Sequence, residues 1–188
     1  MMEIITLKNL TKKFNGLTAV NNVSFAVEEG EVFGFLGPNG AGKTTTISML
    51  ATLLEPTSGG AFVNGFNIKT EKNEVRKSIG IVFQDPSLDE ELTANENMHF
   101  HGRLYDVPKE IRKERIEELL ELVELKERKN DLVKKFSSGM RRRLELARGL
   151  LHHPKALFLD EPTLGLDPQT RNRIWEYIKR LNKEKRVT

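Results

Sequence analysis

Eight consecutive residues, Gly37-Pro38-Asn39-Gly40-Ala41-Gly42-Lys43-Thr44, bring together the glycines, the ammonium and the hydroxyl that holding a polyphosphate requires. Glycines let the backbone curl until its N–H groups converge on phosphate oxygens, and a helix opening at Lys43 would aim the positive end of its dipole at the same charge. Lys43 is then placed to reach the β- and γ-phosphates, the Thr44 hydroxyl to coordinate Mg²⁺, and Thr45 to touch the α-phosphate. Gly-rich turns match such a pattern by chance, so the flanks decide. Residues 32–36, VFGFL, are a continuous apolar run expected of a strand buried on both faces, and residues 43–54 read as a helix. Strand, glycine loop and helix in that order are the setting a phosphate cradle needs.

A second motif, Ala156-Leu157-Phe158-Leu159-Asp160-Glu161, is an apolar strand ending in two carboxylates. In an open parallel sheet, ligands bind at the carboxyl ends of strands, so both acids are expected beside the phosphate loop. Asp160 suits Mg²⁺, directly or through water. Glu161 suits a general base that holds and polarises the water attacking the γ-phosphate. Standing alone, the pair would read as the solvated start of a loop before Pro162.

The elements that must position these groups are legible in outline. Residues 3–27 alternate apolar and polar side chains (Val23, Phe25, Val27) and are broken at Asn15-Gly16 and Asn21-Asn22, which predicts half-buried antiparallel strands. Residues 61–68 suit a strand pair, and residues 79–83 a second buried strand. Pro108 lies near the start of a charged helix with Ile116, Leu119, Leu120 and Val123 at helical spacing; Met140, Leu144, Ala147 and Leu151 mark another, stopped before Pro154. Asp167-Pro168 opens a last helix with Ile174, Ile178 and Leu181 on its inner face. The fold class is α/β: a phosphate-loop core with a mainly parallel sheet, an N-terminal antiparallel β subdomain and an inserted helical subdomain. One domain spans 1–188, with approximately 1–85 and 155–188 as the core and β subdomain and approximately 86–154 as the helical subdomain.

Composition narrows the class. A chain of 188 residues with 38% hydrophobic and 30% charged residues can bury one core. A net charge of only +3 does not predict nucleic-acid binding, and no cysteine is present to form a disulfide or thiolate site. No apolar run approaches the roughly 20 residues that span a bilayer, and MMEIITLKNL has no basic signal-peptide head. If the protein works at a membrane, another chain crosses it.

On these motifs and their order, the chain resembles the nucleotide-binding subunits of ABC transporters from about residue 3 to its end. The resemblance implies ATP as ligand, with Mg²⁺. It implies that Gln84 is the Q-loop glutamine that contacts Mg²⁺ and attacking water and couples to the membrane partner. Phe14 takes the place of the aromatic residue that stacks on adenine; from sequence it is equally a core aromatic of a β-hairpin. Phe136-Ser137-Ser138-Gly139-Met140 stands where the family has its LSGGQ-like signature, and Gly165-Leu166-Asp167 matches the D-loop. Ser137, Ser138, Gly139 and Asp167 would then contact ATP held by an opposite subunit, so a second ATP-binding subunit, in a homodimer, is implied. The sequence departs from LSGGQ at Phe136, Ser138 and Met140. Phe136 and Met140 resemble the daunorubicin-resistance exporter branch, whereas a Cβ at Ser138 stands close to where backbone must approach phosphate. Ser137 and Ser138 also suit helix caps.

Arg141, Arg142 and Arg143 follow the signature without interleaved aromatics, and are expected to be a solvated helix face rather than a nucleic-acid site. His99, His101, His152 and His153 all precede the place of the family's switch histidine. The resemblance implies a further core strand beginning at Val187-Thr188, with that histidine and C-terminal helices beyond it, so we expect a C-terminally truncated cassette whose own turnover is in question. The expected function is the ATPase of a transporter, exporting a drug or lipid-like substrate, at the cytoplasmic face of the membrane through a transmembrane permease subunit. A nucleotide-binding module with little hydrolysis is the alternative. The permease is expected in a groove near Gln84 and residues 85–97, where Leu88, Leu92, Met98 and Phe100 gather beside an acidic stretch.

Overall fold

In a computed structural model describing residues 2–83, 87–163 and 167–188, without the side chains of Thr170, Leu181 and Lys185, the early alternation becomes two long strands. They are β1 (Glu3–Phe14) and β2 (Leu17–Glu28). The chain divides into two compact units, Met1–Ile79 with Leu181–Thr188, and Gly80–Arg180.

In the first unit, Asn15 and Gly16 link β1 to β2 with φ of 40° and 89°, the paired positive values that a two-residue hairpin turn demands and Asn-Gly tolerates. Asn21-Asn22 is a bulge rather than a break. Leu10 pairs with Val23 and Lys12 with Val20, so two residues of β2 stand opposite Thr11, whose hydroxyl accepts the Asn22 N–H at 3.0 Å. On the other edge of β1 lies β3 (Ser58–Val63), followed through the Asn64-Gly65 turn by the short β4 (Phe66–Asn67), giving the antiparallel order β2-β1-β3-β4. The unit also contains helices α1 (Lys43–Leu50) and α2 (Lys72–Ser78), and its buried side chains include Leu7, Leu10, Val27, Met49, Val63 and Val75.

Residues 32–36 correct the expectation of a buried strand. Val32 is 56% and Leu36 92% exposed, and this segment has no strand geometry. A strand buried on both faces needs ladder partners and cover, and among the described residues none pairs with this run. Its contact is aromatic instead: Phe33 stacks on Phe25 of β2 with centroids 5.1 Å apart.

The second unit is built on a two-stranded parallel sheet of β5 (Ile79–Val82) and β6 (Ala156–Leu159). Between them run α3 (Ala94–Leu104), α4 (Lys109–Leu122) and α5 (Ser138–Leu150), with single 3₁₀ turns at Lys126–Arg128 and Val133–Lys135. A reciprocal cap starts α3: the Thr93 hydroxyl accepts the Glu96 N–H at 3.1 Å, and the Glu96 carboxylate accepts the Thr93 N–H at 2.8 Å. Helix α5 meets β5 backbone to backbone, because a Cβ on Gly80 would lie 2.2 Å from the Gly149 carbonyl oxygen. The expected apolar rows are buried, including Ile116, Leu120 and Val123 of the α4 segment and Leu144, Ala147 and Leu151 of the α5 segment. Helix α6 (Pro168–Lys185) lays Ile174, Tyr177 and Ile178 against Val82, Leu146, Leu157 and Leu159; the Leu181 side chain is outside the described set. No helix among the described residues is long and apolar enough to cross a membrane.

The same unit encloses a histidine. His101 packs on Tyr105 (centroids 4.7 Å apart), which stacks on His152 (3.8 Å), and His101 Nε2 is buried without a hydrogen-bond partner. Burial first, then the neighbouring charges of Arg148 and His152, push the His101 pKa down to about 3. The unfolded chain therefore takes up this proton near pH 6.5 while the folded one does not, so stability is complete above that value and is lost as pH falls toward 3. Between pH 6.5 and 5 the loss from this residue reaches at most about 2 kcal/mol. Thermal melts at pH 7.5 and 5.0 should show a smaller drop for His101→Phe than for the parent. Equal drops would mean that His101 is not held neutral.

Candidate nucleotide-binding site

The phosphate loop belongs wholly to the first unit. Gly42 is the N-cap of α1 with φ of 84°, and a Cβ there would stand 2.3 Å from the Ala19 carbonyl oxygen of β2. Both restrictions admit only glycine, so the backbone turns sharply into the helix and presents its first N–H groups outward. The Ala41 N–H to Pro38 carbonyl bond (3.2 Å) tightens the loop before it, and Gly40 is also left-handed, at 80°. Lys43 folds back on this loop: its Nζ donates to the Gly37 and Pro38 carbonyls at 2.8 and 3.0 Å. Thr44 is exposed in the first turn, Thr45 is half-buried, and Thr46 is buried with its hydroxyl donating to the Gly42 carbonyl at 2.9 Å. Gly37, Pro38, Asn39, Gly40 and Ala41 are exposed. An anion drawn to this helix N-terminus would meet an ammonium and a hydroxyl within one turn.

Phe14 lies at the end of β1, 43% exposed, with the Lys12 ammonium 5.0 Å from its ring centroid. The ring is thus part of the surface at the end of β1, packed on one side by a cation.

The strand-end acids belong to the second unit. Asp160 follows β6, is 4% exposed, and its N–H donates to the Val82 carbonyl at 3.0 Å, so the ladder extends one residue beyond the strand. Glu161 comes next, half-buried, in the left-handed region at φ 48°. Ser137 caps α5, its hydroxyl accepting the Met140 N–H at 3.2 Å; Ser138 is exposed in the first turn and Gly139 is half-buried. Phe136 is buried. Asp167 is exposed ahead of α6, and its carbonyl accepts the Arg171 N–H at 2.9 Å. Gln84, Gly165 and Leu166 lie outside the described residues.

The arginine run overturns the expectation of a solvated face. Arg142 is only 8% exposed, and Arg143 donates to the Val123 carbonyl at 2.9 Å and to Glu124 at 3.1 Å. Arg141 pairs with Glu90. The Arg142 Nε donates to the Pro162 carbonyl at 2.8 Å, Nη2 to the Asp160 carbonyl at 3.1 Å, and Nη1 to the Phe83 carbonyl and to Glu145 at 3.1 Å. Glu145, 2% exposed, accepts the Ser87 N–H at 2.8 Å, and Arg148 donates to the Ser87 carbonyl at 2.7 Å. Glu145 and Arg148 are not singled out by the sequence, and Arg142 is misassigned there to a solvated face, although charges of alternating sign at every third position of a helix are the pattern of a row that pairs with itself and with one neighbour. In the region expected to receive a permease, Met98 is part of the core, Leu88 and Leu92 are half-buried, and Phe100 is 60% exposed.

Among the described residues no three histidine or acidic side chains cluster as a metal cage. The exposed Thr44 hydroxyl in the first unit is an oxygen donor of the kind Mg²⁺ takes alongside phosphate and water, and so, in the second unit, is the Asp160 carboxyl; each by itself fits that ion in donor chemistry.

Comparison with known proteins shows the family. The family model for ABC transporters matches residues 20–164. The linearmycin resistance ATP-binding protein LnrL of Bacillus subtilis is 44% identical over 95% of this chain and 58% of its own length. The daunorubicin/doxorubicin resistance ATP-binding protein DrrA of Streptomyces peucetius is 45% identical over 94% of this chain and 54% of its own. The chain thus spans somewhat more than half the length of these relatives. Among solved structures, cbiO1 of Clostridium perfringens, part of the ABC transporter complex cbiONQ, superposes with TM-score 0.89 at 29% identity, over 99% of this chain and 76% of that one. A dimeric post-hydrolysis state of the ATP-binding cassette MJ0796 bound to ADP and Pi gives 0.85 at 32% identity, over 98% and 85%. Phosphate loop, strand-end acids and these matches lead to one conclusion: the chain belongs to the ABC transporter family, as one of its ATP-binding domains.

Proposed function

We propose that this protein binds Mg-ATP and hydrolyses it to energise export of a drug or lipid-like substrate through a transmembrane permease, at the cytoplasmic face of the membrane. The phosphate loop carries the reading: the Gly42 cap, the folded-back Lys43 and the exposed Thr44 stand together at one helix N-terminus. Lys43 and the loop amides of residues 37–42 hold the β- and γ-phosphates, Thr45 the α-phosphate, and Phe14 the adenine. Thr44, Asp160 and Gln84 hold Mg²⁺, which when bound neutralises charge on the phosphate oxygens. Glu161 accepts a proton from the attacking water, and Gln84 orients that water. Ser137, Ser138, Gly139 and Asp167 contact ATP on a second copy, so nucleotide joins two subunits. The residues act in the division proposed from sequence: core at approximately 1–85 and 155–188, helical subdomain at approximately 86–154.

The dimeric nucleotide-bound state of MJ0796 and the place of cbiO1 in a transporter complex support a second ATP-binding subunit and a permease. The resistance proteins for linearmycin and daunorubicin, and the bacitracin transport protein BcrA of Bacillus licheniformis at 42% identity, support export of such compounds.

Lys43→Ala should weaken ATP binding by about 1.5–3 kcal/mol, roughly 10- to 150-fold, because it removes a charge-assisted contact to phosphate. Calorimetry checks this, and an unchanged affinity would remove the foundation of the reading. Glu161→Gln should leave affinity nearly unchanged while slowing hydrolysis about 10²- to 10⁴-fold, read by phosphate release from the subunit assembled with its partners. A mutant turning over at the parent rate would strip Glu161 of its role as base. The chain has no cysteine. Single cysteines at Leu88, Leu92 and Phe100 should therefore crosslink to the permease with little background, and crosslinks confined to β1 and β2 would place the permease elsewhere.

A further inference from the structure

We propose that Arg142 is a positioning residue for hydrolysis, holding the backbone of Glu161 from both sides. This rests on the reading of Glu161 as the base. A guanidinium offers five N–H donors in a rigid plane, and enclosing it in protein demands acceptors around that plane. Two of its acceptors are the carbonyls of Asp160 and Pro162, the residues immediately before and after Glu161. Glu161 itself occupies the left-handed region, where a residue with a Cβ persists only when its surroundings hold it there. Anchoring both neighbouring carbonyls to one planar group limits rotation about the Glu161 Cα and so sets the point from which its side chain departs.

The same guanidinium donates to the carbonyl of Phe83 at the end of β5, which ties the ends of the two strands together. Glu145 supplies the compensating charge, and its other oxygen accepts the Ser87 N–H. Phe83 and Ser87 flank the segment that contains Gln84. One buried ion pair on α5 therefore holds the backbone before and after Glu161 and also meets Phe83 and Ser87. The helix that carries it begins at the signature residues, one turn away from Arg142. A lysine could keep the charge but, with one nitrogen, cannot reproduce the planar grip.

A double-mutant cycle in the assembled ATPase tests this, using Arg142→Lys, Glu161→Gln and the double variant, with melts to monitor folding. Arg142→Lys should lower kcat about 10- to 100-fold, the scale of a displaced catalytic group, with KM and ATP affinity nearly unchanged. In the Glu161→Gln background the same substitution should change the residual rate less than about twofold, since its effect passes through the carboxylate. If Arg142→Lys fails to fold, Glu145→Gln, which keeps an acceptor for Ser87 while removing the charge, enters the same cycle with the same expectation. Equal fold-losses in both backgrounds, or a raised KM with kcat intact, would overturn the positioning role and leave Glu161 as base. A Glu161→Gln rate equal to the parent's would instead overturn the reading on which the proposal stands.

Discussion

A guanidinium taken out of water must be met by acceptors and by negative charge, because desolvation of an unpaired ion outweighs anything its packing returns. Arg142 imposes this demand where β5 and β6 end, and the second unit is arranged to satisfy it. Backbone carbonyls that the short two-stranded sheet leaves at its margin face the guanidinium, and Glu145 balances its charge from the next turn of the same helix. The close crossing of Gly80 on Gly149 brings α5 against β5. Tight packing and ionic demand are thus two descriptions of the same helix–strand contact, one through missing side chains and the other through a long one.

The phosphate loop solves a different problem with almost no side chains. Its conformation follows from glycine at Gly42, where a positive φ and the nearby Ala19 carbonyl leave no room for a Cβ. Its charge comes from one lysine folded onto two carbonyls of the loop. Backbone amides and a helix end need no reorganisation when an anion arrives, whereas a cluster of flexible basic side chains would lose rotamer freedom on binding.

Helical faces in the second unit separate by what they must meet. The buried rows of α4 and α5 are aliphatic, the row Arg142, Glu145 and Arg148 pairs with strand ends and with Ser87, and α3 carries Phe100 and Leu104 at the surface. His101 shows what burial does to a group without a compensating acid: flanked by Arg148 and His152, it is neutral rather than charged.

By itself the sequence determined the features that depend on local spacing. Asn-Gly turns, the glycine loop before Lys43, the apolar rows at helical period and the strand ending in Asp160-Glu161 are all readable because steric limits and periodicity act within a few residues. Tertiary structure decided what depends on distant partners. The run of residues 32–36 is apolar enough for a buried strand yet lies exposed against Phe25, because a strand exists only with a ladder partner. Arg142 reads in sequence as one of three exposed arginines, and is buried because carbonyls from residues 83, 160 and 162 converge on it. Asn21-Asn22 reads as a break and is a bulge, since register belongs to two strands together. A residue type states which bonds it can make; only the fold brings up the atoms that make them.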